Sequence, residues 1–252
     1  MKLPSVTISV VSHEHGDEIP NLLRDLAAFA PSSILEVIVT LNVPEEMLTK
    51  WINVRQWPFI ITIINNPIPM GYGANHNQAF KFCKTPYFCI VNPDVRLTGD
   101  LFPFMISRIE EPMAGCAYPM QSNRDSEPVD LSREVPTLVS LLRRYLVPGS
   151  RTKPHERHWI NGAFMLIPAP VFERLAGFDQ RYFMYCEDVD ICLRLQLLGY
   201  RLLPVVSVKV EHEAQHASRR RLRHLVWHVK SLWSLWHSAP YREFCRKHLR
   251  KA

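Results

Sequence analysis

The sequence contains no apolar run near the ~20 residues that a membrane-spanning helix needs. Its opening residues, MKLPSVTISVV, lack the shape of a secretory signal. The apolar stretch is short, Ser and Thr interrupt it, and no small-residue cleavage site follows. A cytoplasmic chain is the expectation. The six cysteines (Cys83, Cys89, Cys116, Cys186, Cys192 and Cys245) form no CxxC pair, and no Cys/His cluster has zinc spacing. Free thiols are therefore expected. Internal repeats and low-complexity segments are absent, as is the GxGxxG fingerprint of dinucleotide sites. No Ser/His/Asp or Cys/His constellation argues for a covalent nucleophile. What remains is ordinary globular material. Of 252 residues, 47% are apolar and 21% charged, which excludes a disordered or fibrous chain and suits one large α/β domain or two small ones.

Charge is unevenly spread. Residues 209–252 hold 11 Lys+Arg against 3 Asp+Glu, a balance of +8, while residues 1–208 hold 19 against 21, a balance of −2. The division places a near-neutral body at 1–217 and a basic tail at 218–252. With no recognition motif beside the basic tail, nucleic-acid binding is not expected. In the tail Leu222, Leu225, Val226, Val229, Leu232, Trp233 and Trp236 recur at helical spacing, with Arg219, Arg223, Lys230 and Ser234 largely opposite. One amphipathic helix is predicted. Three roles stay open for it: packing on its own domain, contact with an anionic membrane surface, and dimerisation.

The body alternates. VTISVVS (6–12), LEVIVTLN (35–42), FIITIIN (59–65) and YFCIVNPD (87–94) read as strands, almost continuously apolar as in a sheet buried on both faces. Between the first two, Leu22, Leu23, Leu26 and Phe29 follow helical spacing up to Pro31; GYGANHNQAFKFC (71–83) reads as a glycine-started helix. This βαβ order predicts a parallel sheet flanked by helices. Residues 119–158 are irregular around a short helix over TLVSLLRRYL, and read as excursions or a mobile lid. WINGAFMLIP (159–168) returns to strand, VFERLAGF is a short helix capped by Gly177, and EDVDICLRLQLLG (187–199) is a helix with acids in its first turn. RLLPVVSVKVEH supplies a final strand.

Three places carry candidate chemistry. Asn92-Pro93-Asp94 follows a buried strand, where alternation puts residues 92 and 94 on one side, beyond the carboxyl end where α/β sheets bind ligands. Such oxygen ligands suit Mg²⁺ or Mn²⁺, although Asn, Pro and Asp are also turn formers. Glu187, Asp188 and Asp190 crowd one helix start. The helix dipole alone favours them there, but the aromatic GFDQRYFMYC before them offers a wall that raises a carboxylate toward base duty; Asp190 also sits four residues before Arg194 for an ion pair. Gly71-Tyr72-Gly73 leads into a helix and reads as a phosphate contact or as an ordinary turn. His212 lies just past the last strand, a structural residue or a third ligand.

Taken together, VTISVVS, NNPIPMGYGANHNQAF, CIVNPDVRL, INGAFMLIP and GFDQRYFMYCEDVDICLRLQLLGYRLLPVVSVKVEH resemble, in order and spacing, the inverting family 2 glycosyltransferases of GT-A fold, in their bacterial rhamnosyltransferase-like branch. The match covers about residues 5–218. The resemblance implies a mostly parallel, Rossmann-like sheet flanked by helices, followed here by the amphipathic helix. It implies that Asp188 is the catalytic base, that Asp94 and His212 hold Mg²⁺ or Mn²⁺, and that Asn92 stands where a DXD motif has its first acid. Val11, Ser12, His13, Asn42, Gly71, Asn77, Gly162, Ala163 and Glu187 would contact the donor. The donor would be a dTDP- or UDP-sugar, rhamnose among the candidates, and the acceptor a surface polysaccharide or lipid-linked glycan. Ser12-His13-Glu14 and Asn42 depart from the family's usual residues and leave the base open. The alternative is a non-catalytic nucleotide-sugar or carbohydrate-binding protein of the same fold.

Overall fold

A computed structural model describes residues 6–123, 132–137, 158–212 and 222–248. The order is β1 (Val6–Ser12), α1 (Glu18–Phe29), β2 (Ile34–Leu41), α2 (Glu46–Asn53), β3 (Ile60–Asn65), α3 (Tyr72–Phe80), β4 (Tyr87–Val91), β5 (Val95–Leu97), α4 (Phe102–Ile109), β6 (Ala114–Ser122), β7 (Ser132–Glu134), β8 (His158–Ile160), β9 (Phe164–Pro168), α5 (Ala169–Arg174), α6 (Glu187–Leu197), β10 (Arg201–His212), α7 (Leu222–Trp236) and α8 (Ala239–His248). The helix expected over TLVSLLRRYL lies, Thr137 apart, outside the described residues.

Eight strands form one sheet in the order β3-β2-β1-β4-β9-β6-β10-β5, and β7 pairs with β8 in a separate ribbon. β1, β2, β3 and β4 pair in parallel, as do β6 and β10. β9 is antiparallel to both β4 and β6, so six strands share one direction and only β9 and β5 oppose it. The sheet is mostly parallel, as the alternation predicts. From β1 the chain winds outward to β2 and β3, then returns to place β4 on β1's other side. That reversal is a topological switch point, and the carboxyl ends of β1 and β4 beside it are where such sheets take ligands.

Residues 159–168 are not one strand. The chain breaks at Asn161–Ala163 between β8 and β9. The tail is likewise two helices where periodicity predicts one. His237 and Ser238 interrupt it. The Ser238 hydroxyl accepts the Tyr241 N–H at 3.2 Å, and Pro240 occupies the first turn, where its missing N–H costs nothing.

One polar pair sits inside this core. Ser9 Oγ and His76 Nδ1 lie 2.8 Å apart, both fully buried, with the imidazole edge-on to Tyr72. Burial pushes the His76 pKa down from 6.5 to about 3. The unfolded chain therefore takes up the proton first, and stability is lost as pH falls below the unfolded value, at about 1.4 kcal/mol per unit. Urea midpoints at about pH 7.5 and about pH 5 should differ by about 2 kcal/mol from this group. His76→Gln should flatten that slope; an unchanged slope would remove His76 as its source.

Candidate active site

The carboxyl edge of the parallel strands gathers the chemistry. His13 follows β1, Asn42 follows β2, Asn92 and Asp94 follow β4, and Gln121 and His212 end β6 and β10. The Asn161–Ala163 break enters the same edge, because the Asn92 N–H donates to the Ala163 carbonyl at 2.8 Å.

Tyr72 is the hub. Its hydroxyl lies 2.9 Å from Asn92 Oδ1 and 2.8 Å from the Gly162 carbonyl. Burial raises its pKa well above normal, and the charges of Glu187, Asp188 and Asp94 push it the same way. A Cβ at Gly162 would lie 3.5 Å from the Tyr72 hydroxyl and 3.6 Å from Asp188 Cβ, so both side chains close on the same glycine.

Asp188 sits in the first turn of α6. Its Oδ1 accepts the Val189 N–H at 2.8 Å, and its Oδ2 lies 3.3 Å from the Gly162 N–H. These bonds and the Arg133 charge favour the anion, but burial prevails and raises the pKa. Neighbouring Glu187 is buried, and its Oε2 has no partner among the described residues. Burial first, then the Asp188 charge, lifts its pKa well above the carboxylate range. Two adjacent buried acids cannot both ionise cheaply. The backbone N–H groups on Asp188 and the Arg133 charge favour ionising it ahead of Glu187. Asp190 takes the other course open to it in the sequence. It is fully buried and pairs with Arg194 at 2.6 Å.

At the opposite end, His212 Nε2 lies 3.3 Å from Asp94 Oδ1, and His212 Nδ1 lies 3.1 Å from Gln121 Oε1. Gln121 and Asn161 exchange two amide bonds of 3.0 Å, with Gln121 Oε1 as an acceptor. An acceptor at Nδ1 holds a proton there, which leaves Nε2 free to turn a lone pair toward Asp94 Oδ1, an oxygen with no hydrogen bond among the described residues. Two electron-rich atoms facing each other fit a shared cation. Among the described residues no three His, Cys, Asp or Glu side chains cluster in a metal-binding group. Asp94 and His212 would therefore supply two ligands, and a substrate or water the rest. Sequence alternation puts residues 92 and 94 on one strand face, but β4 ends at Val91 and the Val95 N–H closes a turn onto the Asn92 carbonyl at 3.3 Å. Asn92 and Asp94 accordingly take different partners, Tyr72 and His212.

The remaining expected donor contacts divide. Val11 and Ser12 are buried at the end of β1, with Ser12 Oγ lacking a partner among the described residues, and His13 is exposed beside Asn42. Gly162 and Ala163 are in the break itself. Asn42 is spent on holding the chain: its Oδ1 accepts from the Met70 and Asn66 amides, and its Nδ2 donates to the Met70 carbonyl. Asn75 extends this network through Asn66 and Gly71. Asn77 faces elsewhere, gripping Phe178 through its N–H and carbonyl at 2.8 and 2.7 Å. Gly71 and Gly73 serve close packing. A Cβ at 71 would lie 2.7 Å from the Phe183 carbonyl oxygen, and one at 73 would lie 2.5 Å from Phe178 Cβ. Sequence reading passes over Tyr72, Gln121, Asn161 and His15. His15 is near enough to Asp94 to feel its charge, although burial dominates and lowers its pKa.

The solved mannosyltransferase PcManGT from Pyrobaculum calidifontis, in complex with GDP-Man and Mn²⁺, superposes with a TM-score of 0.66 at 18% identity, over 97% of this chain and 68% of that one. S. aureus TarS residues 1–349, in complex with UDP-GlcNAc, gives 0.63 at 13% identity, over 98% and 73%. The fold is that of GT-A glycosyltransferases. Residues 7–176 match the family model described as Glycosyl transferase family 2, and the chain belongs to that family. The rhamnosyltransferase WbbL of Escherichia coli K12 is 32% identical over 244 residues, 90% of each chain. The N-acetylglucosaminyl-diphospho-decaprenol L-rhamnosyltransferase of Mycobacterium tuberculosis is 28% identical over 259 residues, 88% of this chain and 84% of that one. The chain is a glycosyltransferase of rhamnosyltransferase-like sequence.

Proposed function

We propose that the protein transfers a sugar, rhamnose first among candidates, from a dTDP- or UDP-sugar to a hydroxyl of a lipid-linked glycan or surface polysaccharide, with inversion. The donor would lie at the carboxyl edge of β1 and β4 in the 1–217 body. Asp94 and His212 would hold Mg²⁺ or Mn²⁺, which when bound supplies charge neutralisation for a diphosphate leaving group. Asp188, ionised beside a protonated Glu187, would take the proton of the acceptor hydroxyl as that oxygen attacks the anomeric carbon from the face opposite the diphosphate. One displacement inverts the centre and needs no enzyme nucleophile. A lipid-linked acceptor would be met at the inner face of the cytoplasmic membrane; among the described residues no helix is long and apolar enough to cross one.

The observation that carries this reading is the meeting at one sheet edge of the Asp94–His212 pair, 3.3 Å apart, and Asp188, whose Oδ2 lies 3.3 Å from the Gly162 N–H. Thermal unfolding with UDP, dTDP, GDP and CDP, with and without Mn²⁺ or Mg²⁺, tests it. A nucleotide at about 100 times its Kd adds about 2.7 kcal/mol to native stability. One nucleotide should shift the melt only with metal, and Asp94→Ala should abolish the shift. No shift with any pair would favour the non-catalytic carbohydrate-binding alternative.

A further inference from the structure

The tail helix α7 has two apolar faces, and only one of them packs. Ser231 and Leu235 are buried, and the Ser231 hydroxyl donates to the Met184 carbonyl at 2.8 Å. Leu225, Val226, Val229 and Trp233 lie on another face and are 49%, 57%, 59% and 63% exposed. At about 100° per residue these four span one quadrant and form a ridge about 12 Å long. The fold does not need them exposed, because the helix is already anchored by its other side.

The surroundings of the ridge identify its occupant. Arg223 and Lys230 are exposed along one flank, and α7 contains no acidic residue. Arg223 stacks its guanidinium 4.7 Å over Trp227. The four side chains expose roughly 400 Å², about half of the ~800 Å² per partner in a standard protein interface. A second copy would also set cations against cations. A ridge of Leu, Val and Trp edged by cations is what an interfacial helix presents to acidic lipid.

We propose that the Leu225–Val226–Val229–Trp233 face of α7, flanked by Arg223 and Lys230, docks the protein on an anionic phospholipid bilayer. The physics stands on the helix alone; for its purpose the proposal rests on the reading of a lipid-linked acceptor. α7 packs on residues 183–185: Phe183 and Trp227 rings are 5.0 Å apart, and Tyr185 Oη lies 2.9 Å from His224 Nδ1. That segment leads straight into Glu187 and Asp188. Docking through α7 therefore brings the acceptor end of the site to the lipid surface.

Co-sedimentation of the full chain with phosphatidylcholine vesicles, with and without about a third phosphatidylglycerol, is the test. The chain should bind the anionic vesicles and leave the neutral ones, and added salt should weaken binding. Arg223→Gln with Lys230→Gln should weaken it about 25-fold, about fivefold per cation. Leu225→Ser, Val229→Ser and Trp233→Ser together should weaken it by about tenfold or more. Both variants should keep the parent's melting temperature, since every altered side chain is exposed. They should also keep its nucleotide-dependent shift. Failure to bind anionic vesicles, or equal binding by the triple variant, would overturn the proposal. So would a parent dimer that the triple variant dissociates. Loss of the nucleotide shift in the parent would instead sink the transfer reading and leave the docking face standing.

Discussion

Asp188→Asn is expected to lower turnover by about 10²–10⁴-fold, the range a positioned general base supplies, while nucleotide-dependent stabilisation stays at the parent's level. Asn is isosteric but cannot take a proton. Glu187→Gln should be far milder, because burial and the Asp188 charge already favour its neutral form. The two variants thus separate a base from a bystander in the same turn. The parent's activity should also show an acid limb with a midpoint above the ordinary aspartate value of 3.8, since burial raises Asp188 and protonation removes the base. That limb should vanish in the Asn variant. Initial rates against pH with saturating donor measure both effects. Equal losses in the two variants, or an unchanged limb, would move the base elsewhere.

Arg194→Met should cost about 3–5 kcal/mol of stability, the penalty for leaving a buried charge without its partner. Asp190 is fully buried, and burial already raises its pKa against the pull of Arg194. The same guanidinium donates to the carbonyls of Leu175 and Gly177 at 2.7 and 2.9 Å, pinning the loop before Phe178. Asp190→Asn added to Arg194→Met should restore a large part of the loss, because the orphaned charge is gone. Urea midpoints of the two variants decide it. A loss below about 1 kcal/mol in the single variant would mean that Asp190 simply takes up a proton.

The strands around the switch point were legible because their apolar runs are long and their loops short: β1 falls where VTISVVS stands. Less visible were α2 and α4, which are only 8 residues each, and β6, which enters an irregular stretch with Pro119 inside it. At the site, the acids could be read as acids. Their division of labour could not, because it depends on which carboxylate receives backbone N–H groups. Asn42, Asn66 and Asn75 show the same limit. An asparagine after a strand suits ligand or latch equally, and only the chain folded around Met70 shows the latch. Tyr72 sits between two glycines, and nothing in their spacing says that its hydroxyl reaches Asn92 and Gly162. The tail's periodicity was real but merged two faces, since apolar spacing does not say which stripe is covered.

Tyr185 and Cys186 have φ of +72° and +67°. Two consecutive side-chain-bearing residues in this left-handed region cost about 1–2 kcal/mol each. Their neighbours hold them there: Cys186 packs with Tyr182, Val189, Leu235 and Phe244, and Tyr185 meets His224. Three of those neighbours, His224, Leu235 and Phe244, belong to the tail. The tail is thus a clasp on a cocked spring, and Asp188, the base proposed above, stands two residues beyond that spring. A fragment cut after His212 would keep Asp94, Glu187, Asp188 and His212 yet let the turn unwind. Exchanging residues 222–248 for an unrelated helix would for the same reason produce a silent enzyme, unless the contacts to Tyr185 and Cys186 are kept.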